Sequence, residues 1–432
     1  MRFKRLTSAS AAAIAVTAIA ACGSSPDGTD SADASAGDFT GRGPITLATG
    51  KDNTGTLDKA LDEWNRRHPK ERVRAIQLSD SPDEQRQRMI QNAELKSGEF
   101  TVLNLDVVWT SEFAANRWVL PLPRKAIDTS DDLKPTVDGA SYRGQLYAAP
   151  WSSDGALLYY RKDLLKKAGA KPPRTWADMT EVCKKVRELP EGKGLSCYAG
   201  QFDKYEGLTV NFAEMVDSAG GTVVNGKGRP SVDTPEAEKG LSFFADAFDS
   251  GLISKKAITY KEEEGRQAFQ KGKLVFHRQW PYQWSMASKT DGSSAVAGKF
   301  GVAPLPGLKG PGISSLGGHN LAISSSAKNR KTALDFVAFM TSEEMQRKNL
   351  LLSSNAPTVA ALYDDKKLIK KYPYLPVLKK SVQNANPRPQ VVRYGDTTAA
   401  IQEAAYGALR GEVTPKKALA GLQRRLQAIS NP

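Results

Sequence analysis

The stretch Val102-Leu-Asn-Leu-Asp-Val-Val-Trp109 is mostly apolar, and this composition predicts a buried β-strand that carries a single carboxylate, Asp106. A short apolar run at 45–48 and an alternating stretch at 73–78 precede it and predict two more strands. A helical pattern separates each pair of strands. The second helix begins at Ser81-Pro-Asp-Glu84, the pattern of a capping box with proline in the first turn. This β-α-β-α-β order predicts an α/β fold with a parallel sheet covered by helices on both faces.

Polar residues follow two of these strands. The loop Gly50–Gly55 comes after the first strand, and Asp106 lies near the end of the third. Ligands of such sheets bind outside the carboxyl ends of the strands, so we expect the loop and Asp106 to share one rim. The alternative for Asp106 is a cap or loop residue at the end of its strand.

The middle of the chain, from residue 146 to residue 276, alternates short apolar strands with helical patterns once more. One of its helices begins at Thr175-Trp-Ala-Asp178, which also has the pattern of a capped start. Roughly 390 residues follow the N-terminal region, enough for two domains rather than one. The sequence therefore predicts a second α/β lobe.

Three large aromatic residues, Trp280, Tyr282 and Trp284, directly follow the buried strand predicted at 273–276, with Pro281 between the first two. The C–H face of a sugar stacks on such rings while its hydroxyls bond polar neighbours. The alternative is that these rings belong to the hydrophobic core, where Trp and Tyr are usually largely buried.

The N-terminus has the features of an export signal. Basic residues within 2–5 precede an apolar segment at 9–21 that is too short to span a bilayer. The segment ends in Ile19-Ala-Ala-Cys22, which resembles the lipobox of bacterial lipoproteins and implies cleavage before Cys22 and a lipid, such as palmitate, on it. We assign 1–21 to a signal peptide and 22–43 to a flexible tether rich in Ser, Asp, Gly and Ala. The alternative is an ordinary secretory signal with a coincidental cysteine.

The two remaining cysteines, Cys183 and Cys197, form an even pair in a chain predicted to be exported, so we predict a disulfide between them. The bridge would close a loop of about 15 residues and stabilise the fold by roughly 3 kcal/mol. The alternative is that Cys183 is a small core residue, because it shares a helix face with Met179, Val182 and Val186.

The chain has 61 basic and 47 acidic residues and a formal net charge of +14. The basic residues are scattered through predicted helices, which is typical of solvated helix faces and would suit an anionic envelope surface. We expect no nucleic-acid partner. The three histidines, His68, His277 and His319, lie far apart in the sequence, and we predict neither a metal site nor a cofactor.

Several stretches are similar to the extracellular solute-binding proteins of ABC sugar importers, in particular the group of trehalose- and maltose-binding lipoproteins. The resemblance covers about 45–425 and is carried by Asp106-Val-Val-Trp-Thr-Ser-Glu-Phe-Ala-Ala115, Leu157-Leu-Tyr-Tyr-Arg-Lys-Asp-Leu-Leu165, Tyr205-Glu-Gly-Leu208, Trp280-Pro-Tyr282, Gly301-Val-Ala-Pro-Leu-Pro-Gly307 and Gly317-Gly-His-Asn-Leu321. It implies a periplasmic-binding-protein-like fold: two α/β lobes, joined by crossing strands, that close on a sugar across a hinged cleft. On this chain, the first lobe would hold 44–152 with 281–330. The second would hold 153–280 with most of 331–432.

The same resemblance implies a set of ligand-binding residues. Asp106 and Asp154 would accept hydrogen bonds from sugar hydroxyls, and Trp280 with Tyr282 would form the stacking platform. Arg393 would supply the forked donors of a late cleft arginine, with a surface ion pair as the alternative.

Two further pairs complete the set of predicted site residues. Tyr205 and Glu206 are placed on a loop that faces the cleft, with a solvated loop as the alternative. Gly318 belongs to the Gly-Gly pair at 317–318, and His319 stands directly after this pair, where relatives often carry Trp. Because His319 replaces that stacking ring with a smaller titratable one, no particular disaccharide is implied.

We therefore predict a monomeric substrate-binding lipoprotein without enzymatic activity, held by its lipid at the extracellular face of the cell membrane. It would capture a neutral sugar, a disaccharide or short oligosaccharide, and deliver it to an ABC permease. One alternative is a binding lipoprotein for a non-sugar solute such as a phosphorylated polyol. Another is a secreted glycoside hydrolase, which needs only two carboxylates, such as Asp106 and Asp154.

Overall fold

The computed structural model describes residues 38–52 and 54–430. The predicted signal peptide, Cys22 and the tether as far as residue 37 lie outside the described residues. Within the described ranges, no helix combines the length and the apolar character that crossing a bilayer requires.

The strands of the described chain belong to two larger sheets and one hairpin. Their bounds are β1 (Ile45–Thr49), β2 (Val73–Gln77), β3 (Val102–Asp106), β4 (Ser141–Tyr142), β5 (Gln145–Leu146), β6 (Ala148–Gly155), β7 (Leu157–Arg161), β8 (Ser196–Ala199), β9 (Leu274–Gln279), β10 (Phe300–Ala303) and β11 (Leu316–Ile323).

Helices cover the sheets and make up most of the C-terminal third. Their bounds are α1 (Thr56–Arg67), α2 (Pro82–Glu94), α3 (Thr110–Ala115), α4 (Lys134–Gly139), α5 (Lys162–Lys167), α6 (Trp176–Glu188), α7 (Glu206–Ser218), α8 (Pro235–Asp249), α9 (Glu262–Gln270), α10 (Gln283–Ala287), α11 (Arg330–Thr341), α12 (Glu343–Ser353), α13 (Lys366–Lys371), α14 (Leu375–Gln383), α15 (Tyr394–Leu409) and α16 (Pro415–Ser430). Short 3-10 turns occupy Val107–Trp109, Pro190–Gly192, Lys255–Thr259 and Ala360–Tyr363.

The first sheet has the order β2-β1-β3-β11-β6. Strands β1, β2 and β3 are parallel, as predicted, and β11 runs antiparallel between β3 and β6. The third strand ends at Asp106 rather than at Trp109. Its carboxylate accepts a hydrogen bond from the Val108 amide and so starts a 3-10 turn. This cap was the alternative reading of Asp106, and it brings the side chain to the carboxyl edge of the sheet.

The second sheet has the order β10-β7-β9-β8. Every residue of β9 is buried, because helices cover both faces of this sheet. Its helix α6 packs through the apolar face that contains Cys183, and Cys183 forms a disulfide with Cys197 on β8, with Cα atoms 5.8 Å apart. Both readings of Cys183 therefore hold: it is a core residue and a bridged one.

Two hydrophobic cores define the two lobes, and β6 and β11 cross between them. On β6, Ala148 and Ala149 pack in the first core, and Ala156, just beyond the strand, packs in the second. On β11, Leu316 packs in the second core and Leu321 in the first. The paired strands therefore form a connection between the lobes.

The lobe boundaries predicted for the C-terminal half differ from those observed. Residues between 287 and 316 pack in the second core, since β10 joins the second sheet through β7, whereas the sequence placed 281–330 in the first lobe. Helix α11 packs in the first core, whereas most of the buried hydrophobic residues from Leu350 to Leu426 pack in the second. The pairing of β10 with β7 decides the place of 287–316, and local patterns do not show this long-range contact.

The two predicted helix caps have different outcomes. Thr175 and Asp178 form a complete capping box at the start of α6, as predicted. At the start of α2, Pro82 does occupy the first turn, but Ser81 makes no side-chain cap bond, so the capping box predicted over 81–84 is wrong. The carboxylate of Asp83 bonds the second lobe instead.

Candidate functional site

The candidate site lies at the carboxyl end of β3, where β11 and β6 pass from one lobe to the other. Backbone pairing places His319 opposite both Asp106 and Ser152, and Gly317 opposite Asp154. Three strands therefore bring predicted site residues together although they are separated by up to about 200 positions in the sequence.

Arg388 connects the two lobes at this place. Its Nη2 donates to Asp106 at the end of β3 (2.5 Å), and its Nη1 donates to Glu206 at the start of α7 (2.5 Å). The side chain is 2% exposed, and among the described residues its Nε has no hydrogen-bond partner. A buried donor without a partner is costly unless a further acceptor completes it, and a ligand hydroxyl is such an acceptor.

Glu206 collects three donors. Besides Arg388, the hydroxyls of Tyr394 and Thr398 on α15 donate to its carboxylate, with 2.7 Å for the bond from Thr398. Burial raises the pKa of Glu206 to about 7, the Arg388 guanidinium opposes this rise, and the charge of Asp106 adds to it. We call Asp106, Glu206, Arg388, Tyr394 and Thr398 the interlobe cluster.

Arg393, the predicted cleft arginine, lies elsewhere. Its side chain is 52% exposed and forms an ion pair with Asp396 at 2.6 Å, which was the alternative reading. The arginine that joins the cluster is Arg388, which the sequence analysis missed. A local signal existed: Arg388 stands between two prolines, Pro387 and Pro389, which restrict the backbone on both sides and so fix where the side chain begins.

Trp280 lies beside the crossing strands. A Cβ added to Gly317 would meet its indole ring at 2.9 Å, so glycine permits this close approach. The guanidinium of Arg278 stacks on the ring, 3.8 Å from its centroid, and the ring keeps part of its surface exposed. Asp154 is on the same side of the crossing strands. Burial raises its pKa to about 7, an effect that the charge of Arg278 opposes and that of Asp106 adds to.

Gly318 and His319 shape the crossing. Gly318 has φ +105°, and a Cβ there would lie 2.2 Å from the carbonyl oxygen of Ser152, so the position requires glycine. Burial lowers the pKa of His319, while the neighbouring Asp106 raises it and Arg388 lowers it. At neutral pH the imidazole is therefore uncharged, and it offers one donor and one acceptor.

The two predicted tyrosines belong to a separate group in the second lobe. Tyr205 donates to Glu262 (2.8 Å) and Tyr282 donates to Glu263 (2.9 Å), both at the start of α9. Tyr205 is the buried N-cap of α7 rather than part of a solvated loop. No hydrogen bond of the described residues joins either phenol to the interlobe cluster.

Trp284, the third aromatic of the platform stretch, packs in the second core. Its ring lies 4.9 Å from that of Phe300 and 4.8 Å from that of Tyr374, so the core reading holds for this residue. Of the three aromatics, Trp280 is the one that the structure brings to the crossing strands.

The charges at the site are balanced within the protein. Arg278 donates to both oxygens of Glu214 (2.8 and 2.6 Å) and to Gln201 (3.0 Å), and Arg388 is paired with Asp106 and Glu206. Asp154 adds a further carboxyl group. Such a site presents paired arginines, carboxylates and an indole, which suits the hydroxyls and C–H faces of an uncharged ligand. Among the described residues, no group of three or more His, Cys, Asp and Glu is arranged to hold a metal ion.

The chain is similar to known bacterial transport proteins. A family model for bacterial extracellular solute-binding proteins matches residues 49–347. A probable ABC transporter-binding protein of Deinococcus radiodurans is 32% identical over 401 residues, which cover 89% of this chain and 94% of the relative.

Two solved structures extend the comparison. The maltose-bound MalE3 of T. maritima is 32% identical, with a TM-score of 0.84 over 89% of this chain and 99% of that chain. A solute-binding protein of Agrobacterium vitis with bound D-mannitol is 25% identical, with a TM-score of 0.76 over 90% of this chain and 98% of that chain. The predicted two-lobe α/β fold is confirmed. The chain belongs to the family of bacterial extracellular solute-binding proteins and is the solute-binding component of an ABC transporter.

Proposed function

We propose that this protein captures a neutral sugar, a disaccharide or short oligosaccharide, between its lobes and delivers it to an ABC permease. The observation that carries the proposal is the charge balance of the site. Both arginines beside the crossing strands are already paired with carboxylates, Arg278 with Glu214 and Arg388 with Asp106 and Glu206. A phosphorylated polyol would need unpaired cations to offset its charge, and a neutral sugar would not.

The proposed binding step uses groups from both lobes. The indole of Trp280 would stack on the C–H face of the sugar ring, and the carboxylates of Asp106 and Asp154 would accept hydrogen bonds from hydroxyls. The unpartnered Nε of Arg388 would donate to a ligand oxygen. A ligand that contacts both lobes favours their approach, because binding shifts the population toward the arrangement it contacts best. The maltose in the T. maritima relative supports a disaccharide as the ligand class.

A neutral sugar alcohol is a second candidate ligand. A mannitol-binding protein of Pseudomonas aeruginosa is 25% identical over 305 residues, and the A. vitis structure holds D-mannitol. A polyol has the same hydroxyl chemistry as a sugar but lacks a ring face for Trp280. The stacking surface therefore favours the sugar.

A thermal-shift panel tests the ligand class. We expect maltose or another neutral disaccharide to raise the melting temperature most, D-mannitol to raise it less, and mannitol 1-phosphate to leave it unchanged. A shift caused by the phosphorylated polyol alone would contradict the proposal. Chromatography of the sugar after incubation tests the hydrolase alternative, since released monosaccharide would show turnover.

Trp280→Ala tests the stacking platform. We expect calorimetry with the sugar that gives the largest thermal shift to show at least tenfold weaker affinity than the wild type, about 1.4 kcal/mol, because the ring face for stacking is lost. Trp284→Phe is the control: it changes the neighbouring indole that packs against Phe300 and Tyr374, and we expect its affinity to equal that of the wild type. Equal affinities for the wild type and Trp280→Ala would show that Trp280 does not stack on the sugar.

We further propose that residues 1–21 are a signal peptide, that Cys22 carries lipid, and that 22–43 tether a monomer to the outer face of the cell membrane. The lipobox-like sequence before Cys22 supports this assignment, as does the extracellular character of the family. Phase separation in a mild detergent tests it: the expressed protein should partition into the detergent phase, and recovery of all of it from the aqueous phase would contradict the lipid anchor.

A further inference from the structure

Helix α7 of the second lobe lacks a cap from its own segment. Its N-cap residue is Tyr205, whose side chain makes no capping hydrogen bond. The first amide of the helix, that of Glu206, instead donates to Oδ2 of Asp83 at 2.9 Å. Asp83 belongs to α2, whose residue Met89 packs in the first core. A helix of one lobe is thus capped by a carboxylate of the other.

The second oxygen of Asp83 also reaches the second lobe. Oδ1 accepts a hydrogen bond from the side chain of Gln402 on α15 (3.3 Å). The same amide group of Gln402 donates to Thr398 (3.0 Å), and Thr398 donates to the Glu206 carboxylate (2.7 Å). Asp83 therefore contacts both elements that carry the second-lobe side of the interlobe cluster, although it makes no bond to Arg388.

The contact stabilises the fold because the N-terminus of a helix carries a partial positive charge. Asp83 lies in the first turn of α2 and also at the start of α7, so one carboxylate neutralises two helix N-termini, each with a partial positive charge. Without it, two like partial charges would face each other and the Glu206 amide would lose its acceptor. Because the contact joins different lobes, it exists only when they are together, and its free energy favours that arrangement.

We propose that Asp83 is a positioning residue for solute binding, an interlobe cap that raises affinity by favouring the arrangement in which the lobes enclose the solute. It acts through the start of α7 and not through contact with the ligand. The inference rests on solute binding by a two-lobe protein, and it does not depend on whether the solute is a sugar or a polyol. When the enclosing arrangement is a minor state of the free protein, apparent affinity falls in proportion to its population.

Asp83→Ala tests the proposal by calorimetry with maltose. We expect about fivefold to tenfold weaker affinity, the size typical of a lost helix cap. Asp83→Asn keeps an acceptor oxygen for the Glu206 amide but removes the charge, so it should recover part of the loss. If maltose does not bind the wild type, the sugar that gives the largest thermal shift serves as the probe. If no sugar gives a shift, the sugar proposal fails and D-mannitol serves for the same comparison.

Amide hydrogen exchange of the ligand-free protein gives a readout that needs no ligand. We expect the peptide that begins α7, from Glu206, to exchange faster in Asp83→Ala than in the wild type. Asp178→Ala is the matched control, since this carboxylate accepts from the amides of Thr175 (2.9 Å) and Arg174 (3.1 Å) within one lobe. It should speed exchange at α6 and leave maltose affinity unchanged. Wild-type affinity in Asp83→Ala, or wild-type exchange at the start of α7, would overturn the proposal.

Discussion

Two buried arginines of this protein both pair with carboxylates, but one lies inside a lobe and the other lies between the lobes. Arg278 lies inside the second lobe, where Nε, Nη1 and Nη2 all donate to Gln201 or Glu214. Arg388 lies between the lobes, where its two Nη atoms donate to carboxylates of different lobes and its Nε has no partner within the described chain.

The difference shows which interactions build a lobe and which depend on lobe position. Arg278 and its partners are held by one core, so their bonds form when the second lobe folds. Arg388 can make both of its bonds at once only when Asp106 of the first lobe lies close to Glu206 of the second. Removing Arg278 should therefore change the free energy of unfolding, and removing Arg388 should change the affinity for the solute.

Arg278→Met carries the largest expected effect. The change leaves the Glu214 carboxylate buried without its cation, and loss of one partner of a buried pair typically costs 3–5 kcal/mol of the free energy of unfolding. It also removes the guanidinium that supports the ring of Trp280. Urea denaturation followed by circular dichroism measures the loss, and a change below about 1 kcal/mol would show that the pair contributes little to the lobe.

Arg388→Met should have a smaller effect on stability and a larger effect on binding. Glu206 would keep the hydroxyls of Tyr394 and Thr398, and a carboxyl group with a pKa already raised to about 7 can take up a proton in place of the ion pair. We expect at least tenfold weaker sugar affinity by calorimetry, about 1.4 kcal/mol or more. If Arg388→Met lost as much free energy of unfolding as Arg278→Met and bound sugar with wild-type affinity, the distinction between the two arginines would be wrong.

The pH dependence of stability tests a third charged group of the site, Asp154. Burial raises the pKa of Asp154 to about 7, whereas an aspartate of the unfolded chain titrates near pH 3.9. Between these values the folded state binds the extra proton, so its stability falls as pH rises from about 4 to about 7, with a slope of at most about 1.4 kcal/mol per pH unit. Asp154→Asn removes this contribution.

We therefore expect the melting temperature of the wild type to fall more between pH 5 and pH 8 than that of Asp154→Asn. Parallel curves for the two proteins would show that Asp154 keeps an ordinary pKa. The charge of Arg278 acts on Asp154, although no salt bridge among the described residues joins the two, so the effect shows whether this arginine also influences a group outside its own ion pair.

Much of the fold could be predicted from local sequence patterns. The parallel order of β1, β2 and β3 followed from apolar runs separated by helical ones, and the cap of α6 followed from the spacing of Thr175 and Asp178. Both depend on residues within a few positions of each other. The placement of 287–316 in the first lobe was wrong because β10 pairs with β7, a contact over more than a hundred residues that no local periodicity encodes, whereas Leu321 to Ala327 do pack in the first core.

The site residues also differ in whether local sequence or long-range packing determines their positions. The resemblance named both Asp106 and His319 as site residues, and the antiparallel pairing of β3 with β11, a long-range contact that no local pattern predicted, brings them together. Arg388 was missed in favour of Arg393 because the flanking prolines restrict its backbone but do not show burial, and only tertiary packing buries the first arginine and exposes the second. Asp83 was read as part of a local capping box, yet its carboxylate bonds the other lobe.

A crystal structure with the sugar of highest affinity tests the central claim most directly. Our account predicts the sugar between the two lobes, with a ring face on Trp280 within about 4 Å, the usual separation of packed atoms. Its hydroxyls should lie in hydrogen-bond contact with Asp106, Asp154 or the Nε of Arg388. A sugar bound elsewhere, without contact to Trp280 and with the interlobe cluster unchanged, would contradict the account.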